Sequence, residues 1–333
     1  MRRQMMNLLV LSFVILFSLI VVPTLGIAYS GEGQKALILK SGSVPNAKDA
    51  MSQAGIRFAE RMKQKTNGKI QITHYPDSQL GKERQMFESI RTGSMAMLIS
   101  GMTASNLFKI IVLPYLFRDR DHVTKVLDGE IMEEWARRDL EKTGIYVFGW
   151  VYRGFRHCTF TKVPVRTPAD MKGMKFRVPE DPVWLETWLA VGARPTPVAG
   201  GELYLALKQG VVDGQENTLD SIIALSMWEV QKYLVLTGHA CAVGWPQVSR
   251  QIWESLTPET RKVWVDTWKE VSEELKKEIV IQEQEFVATW KGKGGTVIEP
   301  DMETFREATK EVWKKFAPQT WGTGVYEKIK SGR

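Results

Sequence analysis

One helical pattern, over residues 258–290, limits what the rest of this chain can fold into. It opens with Ser255-Leu256-Thr257-Pro258-Glu259, a helix start with proline in the first turn, where its missing N–H costs nothing. Residues 292–295 (GKGG) end it. Helices of globular proteins usually run about 8–20 residues, and this pattern exceeds thirty. Such a helix must cross between two domains or lie over both.

Shorter elements surround it. Residues 36–41 read as a strand ended by Gly42 and Pro45. Residues 47–66 carry Ala50, Ala54, Ile56, Phe58 and Met62 at helical spacing and stop at Asn67-Gly68. A strand at 70–75, a loop leading into a helix over 78–91, and a strand at 95–100 follow. This strand–helix alternation predicts an α/β fold with a largely parallel sheet. Further on, the pattern predicts one helix over 123–143 closed by Gly144, and strand-rich sequence from 145 to 160. Thr167-Pro168-Ala169-Asp170 is a helix start with its cap and reciprocating acid. A strand at 175–178 and helices at 182–191 and 201–208 follow it, and residues 211–214 lead into a polar cluster. The last stretches predict a helix at 221–233, a strand at 239–249, a short strand at 296–298 and a helix at 302–316.

The N-terminus has a separate role. Arg2 and Arg3 precede an apolar run over 8–22, Pro23 breaks it, and Gly26-Ile27-Ala28 supplies small residues for cleavage after Ala28. That is the pattern of a secretory signal. The apolar run is too short to reach the ~20 residues of a membrane span. The expected mature chain is therefore exported and soluble, with roughly 305 residues, enough for two domains. Its positive charge is interspersed with acids instead of gathered in a patch, which argues against nucleic acid and favours a small anionic partner. The two cysteines, Cys158 and Cys241, have no metal-type spacing. They are either a disulfide or two buried thiols.

Enzyme signatures are missing. The sequence holds no G-x-S-x-G elbow, P-loop, H-E-x-x-H or strand-following G-x-G-x-x-G, and its four histidines are scattered. Binding residues are easier to nominate. Arg156 lies at the end of the first strand of the second half, and Arg177 at the end of the next. The polar run Gln215-Glu216-Asn217 follows a third strand. Ligands of α/β sheets sit at such strand ends. A guanidinium there presents a planar, permanently charged fork to a carboxylate.

These residues lie within longer motifs. Residues 170–180 (DMKGMKFRVPE), 191–198 (VGARPTPV), 201–217 (GELYLALKQGVVDGQEN) and 228–234 (WEVQKYL) resemble the solute receptors of TRAP transporters, the tripartite ATP-independent periplasmic carriers, of DctP type. Residues 75–93 (YPDSQLGKERQMFESIRTG) and 112–117 (VLPYLF) resemble them too. The resemblance implies a two-domain, flytrap-like periplasmic-binding-protein fold with the long helix bridging both domains. The implied division is a signal peptide at 1–28, domain I at 31–153 plus 243–282, domain II at 154–242 plus 283–320, and a tail at 321–333. By position, Arg177 matches the family's bidentate carboxylate arginine, Arg156 a second ligand arginine and Asn217 an assisting asparagine. His239, Trp150 and Ser100 are further candidates for the pocket. The partners implied are a small organic acid (a dicarboxylate, sugar acid or related carboxylate) bound in an interdomain cleft and the TRAP membrane permease subunits, with a monomeric receptor, no cofactor and no enzymatic activity. Glu216-Asn217-Thr218 stands where metal-dependent members carry Glu-Trp, so no metal is expected. Gly200 stands where sialic-acid receptors can carry a large aromatic residue. Two alternatives are a binding protein of a sensor or ATP-driven importer, and a secreted α/β hydrolase.

Overall fold

The computed structural model describes residues 36–316 and 321–332. The expected export signal at 1–28 lies outside the described residues. Among the described residues eleven strands are present: β1 (Leu37–Ser43), β2 (Ile70–Tyr75), β3 (Met97–Ser100), β4 (Ile145–Val147), β5 (Val151–Phe160), β6 (Lys175–Val178), β7 (Arg194–Pro197), β8 (Gly214–Thr218), β9 (Tyr233–Val235), β10 (Cys241–Ser249) and β11 (Thr296–Ile298). In one half, β2, β1 and β3 run parallel, and β10 joins antiparallel with β4 on its flank. In the other half, β7, β6 and β8 run parallel. There β5 pairs antiparallel with both β8 and β9, and β11 lies parallel to β9. An antiparallel β5–β10 ladder, with one irregularity between Cys241 and Val243, links the halves.

The long helix is a single element, Pro258–Gly292, capped by the Thr257 hydroxyl on the Thr260 amide. It packs on helix Ala50–Lys65 in the first half, then on β5, helix Leu219–Ala224 and β11 in the second. The expected two-domain α/β fold with a bridging helix is therefore observed. Burial explains why the helix holds its path. Trp264 and Trp268 meet Phe58 and Phe148 edge-on at centroid distances of 5.2–6.0 Å. Such aromatic pairs contribute beyond the area they bury. Further along, Trp290 closes a second core against Leu203, Leu207 and Ile222.

Several elements differ from the sequence reading. The helix expected over 123–143 is two helices, Arg120–Leu127 and Glu130–Thr143. Gly129 carries the highest backbone entropy cost in a helix and sits extended as the cap of the second. The adjacent Asp128 carboxylate is held by the Trp150 indole at 2.9 Å. The helix expected over 221–233 stops at Ala224, because Ser226 takes a left-handed conformation with φ 50°. The helix expected over 302–316 ends at Thr309, with a 3₁₀ turn at Val312–Lys315 beyond it. Gln215-Glu216-Asn217 does not follow a strand but lies within β8, between β5 and β6. Strand β7 carries no strand pattern in the sequence, since two of its four residues are proline. Of the two cysteine alternatives the structure adopts free thiols, both buried. Among the described residues no helix is long and apolar enough to cross a membrane.

Candidate ligand site between the two halves

The two halves touch across a cleft. Asn46 donates to the Ala224 carbonyl at 3.2 Å and Lys82 pairs with Glu202 at 2.7 Å. A cross-cleft network centres on Arg153: its Nη2 reaches Asp49 at 2.8 Å and Ser221 at 2.6 Å, and Ser221 donates to Asp49 at 2.6 Å. Asp220 also accepts the Ala50 amide at 3.3 Å. Gly200 comes so near the first half that a Cβ there would meet Val44 at 3.3 Å.

Arg177 sits beside this seam on β6, next to the strand end, and is 4% exposed. The short strand fixes it by pairing to Gln215 on one side and Thr196 on the other. Its Nε donates to the Val198 carbonyl at 2.9 Å. Among the described residues its two terminal nitrogens make no hydrogen bond or ion pair. Burial pushes this guanidinium down to about 10, opposed by the field of Glu216. A desolvated cation without a contacting counter-ion is costly, and a bound anion would remove that cost.

Arg156 is placed differently. It lies mid-strand in β5, not at a strand end as the sequence suggested. Its guanidinium grips Glu216: Nη2 donates to one carboxylate oxygen at 2.8 Å, and Nε donates to the other. Trp184 stacks beneath it with the ring centroid 4.9 Å from Cζ. His239 completes the group, its Nε2 3.2 Å from Glu216 and its Nδ1 2.8 Å from the Thr237 hydroxyl. Burial lowers the affinity of His239 for a proton, more than Glu216 restores it. A neutral ring then donates from Nε2 and accepts at Nδ1. Burial alone would raise Glu216, but Arg156 and His239 hold it at about 2. Nη1 of Arg156 makes no hydrogen bond or ion pair among the described residues.

The remaining candidates separate. Asn217 is half-buried beside Glu216; its Oδ1 accepts the Thr218 amide at 3.0 Å, and its amide nitrogen makes no hydrogen bond among the described residues. Ser100, at the end of β3, donates to Glu83 and accepts from the Met102 amide at 2.9 Å. Trp150 is not brought to this group. It is turned into the core, donating to Asp128, with Lys276 Nζ 5.5 Å from its ring. Glu83 is the acid that sequence reasoning missed. It opens helix Glu83–Arg91, where an acid reads simply as a helix-dipole partner. Burial raises it, while the Ser100 bond and the field of Arg177 pull it down. Arg177 and Glu83 thus face one another from opposite halves, within electrostatic reach but beyond ion-pair distance. An anion and hydrogen-bond donors together suit that space. Among the described residues no cluster of three or more His, Cys, Asp or Glu side chains could hold a metal.

The sequence profile described as bacterial extracellular solute-binding protein, family 7 (DctP), matches residues 41–319. The chain belongs to this family. Among its relatives, the 2,3-diketo-L-gulonate-binding periplasmic protein of Escherichia coli is 29% identical, over 88% of this chain and 92% of its own length. A TRAP periplasmic solute-binding protein of Polaromonas, solved bound to D-erythronate, superposes with a TM-score of 0.84. It is 31% identical and covers 89% of this chain and 99% of its own. One from Roseobacter denitrificans with bound L-galactonate gives 0.81 at 28% identity, covering 90% and 99%.

Proposed function

We propose that this protein is the extracytoplasmic receptor of a TRAP transporter, that it binds a small sugar acid or related carboxylate between its two halves, and that it delivers the acid to the membrane permease subunits. The observation that carries this reading is the buried Arg177 guanidinium with both terminal nitrogens uncommitted. A carboxylate is the planar two-oxygen acceptor that fits them. In this reading Asn217 and Nη1 of Arg156 orient the acid. Glu216 and His239 keep Arg156 in place, and Glu83, held by Ser100, accepts from the ligand's hydroxyls. The relatives named above support the ligand class, since erythronate and galactonate combine one carboxylate with several hydroxyls. The proposed division puts residues 31–153 and 243–282 in one domain and 154–242 and 283–320 in the other. Ligand contacts to both would favour the closed arrangement, because only differential contact shifts such an equilibrium. The signal at 1–28 would direct the chain to the periplasm, where it would act as a monomeric receptor without catalysis or cofactor.

Titration calorimetry against a panel of aldonates, uronates and short dicarboxylates tests the reading. At least one acid is expected to bind with micromolar or better affinity. Arg177→Met should weaken that acid by a hundredfold or more, as loss of a buried charge-pair partner typically costs about 3–5 kcal/mol. An Arg177→Met protein that stays folded and binds with unchanged affinity would overturn the assignment.

A further inference from the structure

A cavity lies away from Arg177. It holds about 790 Å³ and opens between β5, the long helix and the C-terminal segments. Phe155 and His157 of β5 line it, whereas Arg156 between them does not; side chains alternate across a strand. The volume falls within the range of roughly 300–1,000 Å³ usual for small-molecule sites.

Its walls combine two chemistries. Trp313 and Tyr326 stack face to face, with centroids 4.3 Å apart and planes 1° from parallel, and Phe155 and Val287 add apolar surface. The charged lining is strongly unbalanced: Arg118, Arg306, Lys310 and Lys330 are cationic, and Glu283 is the one acid among them. Neither Arg118 nor Lys330 forms an ion pair among the described residues. Arg118 donates to the Lys330 carbonyl at 3.2 Å, and Lys330 Nζ donates to the Tyr115 carbonyl. Arg306 lies over the Tyr115 ring at 5.5 Å and also pairs with Glu303 at 3.6 Å. Burial, then the fields of Arg306 and Arg118, push the Lys330 ammonium down. His157 adds no charge, for its Nδ1 accepts the Gly238 amide at 3.1 Å and burial lowers it to about 3. The result is a pocket with an aromatic wall and two cations, Arg118 and Lys330, that lack a carboxylate, beside Lys310, which pairs with Glu307.

We propose that this cavity is a second ligand site, separate from the cleft, for an amphipathic organic monoanion such as an aromatic carboxylate. The ring would lie against Trp313, Tyr326 and Phe155, and the carboxylate would be met by Arg118, Arg306 and Lys330. Charge complementarity selects an anion, and the stacked aromatic wall selects a flat apolar body over a polyhydroxylated chain.

Calorimetry on the full mature chain with 2-naphthoate as probe tests this. 2-Naphthoate should bind wild type and Arg177→Met alike, since the cleft is not involved. It should bind at least tenfold more weakly to the Arg118→Met/Lys330→Met double variant, while Arg118→Lys/Lys330→Arg retains binding. The uncharged 2-naphthamide, titrated into wild type, should bind at least tenfold more weakly than the acid; this comparison needs no variant to fold. Absence of binding at 5 mM, loss of binding in Arg177→Met, or equal binding of acid and amide would each overturn the proposal. So would undiminished binding to the folded double variant.

Discussion

At the scale of single residues, the second arginine is the instructive one. Arg156 and Arg177 look alike in sequence, each ending an apolar run near a polar cluster, yet among the described residues Arg177 leaves both terminal nitrogens open and Arg156 only Nη1. Arg156 is joined to both oxygens of Glu216, and His239 shares the oxygen that Arg156 Nε bonds. Both arginines were legible, because guanidinium groups beside buried strands are uncommon enough to single out. The partnership with Glu216 was not, since it depends on β8 pairing with β5 over residues 214–218. The direction of Trp150 depends on a distant partner in the same way, for it is set by Asp128, twenty-two positions away. The Glu216 carboxyl, held at about 2 against an ordinary 4.5, has a consequence for pH. The unfolded chain takes up this proton first, so the stabilisation is full above about pH 4.5 and is lost as pH falls toward 2. Its size is about 3 kcal/mol for such a shift. Glu216→Gln should therefore lower stability at pH 7 and flatten its decline between pH 4.5 and 2, measured by urea unfolding. A variant with the wild-type slope would show that another acid sets the window.

Elements show how far pattern alone carries. Sequence pattern places β2, β6, β11 and the long helix almost to the residue, because glycine or proline lies at or near the ends of each. Breaks inside apparently continuous helices were missed wherever one residue decided them, as at Gly129 and Ser226. The long helix also carries Glu270, Glu274 and Glu278 at four-residue spacing, facing Lys65, Arg61 and Arg57 of helix Ala50–Lys65. These side chains are between 26% and 53% exposed, and exposed pairs contribute about 0.2–1 kcal/mol each. Replacing all three acids with glutamine should lower the unfolding midpoint by only a few degrees, with the difference shrinking at 0.5 M salt. A large loss insensitive to salt would mean that packing, not charge, was removed. Gly154 of β5 is far less tolerant. It has φ +86°, and a Cβ there would lie 2.3 Å from a Glu283 oxygen. Gly154→Ala should cost about 2 kcal/mol or more through backbone strain and contact together. Thermal unfolding at unchanged midpoint would contradict it.

For the whole molecule, the contacts across the cleft form a set. Arg153 stands between Asp49 and Asp220, and burial raises Asp49 more than Arg153 lowers it. Removing the cation would leave two acids facing each other without their common partner. Arg153→Met should therefore weaken closure, enlarging the radius of gyration of the unliganded protein in small-angle scattering. Identical scattering from the two proteins would show that the network does not hold the halves together. The two-half architecture was legible because the long helix demanded it and the motifs implied it. The site was only partly so, because Glu83 and Arg177 come from sequence positions almost a hundred residues apart and meet only across the seam. The linkage between the halves has a last consequence. β5, β10 and the long helix each run from one half into the other, and β5 and β10 are laddered together. A protease that severs one of these crossings leaves two peptide connections and the backbone ladder in place. Such a nicked chain should migrate as one species on a native gel and separate only under denaturant, a resilience that receptors joined by a single linker lack.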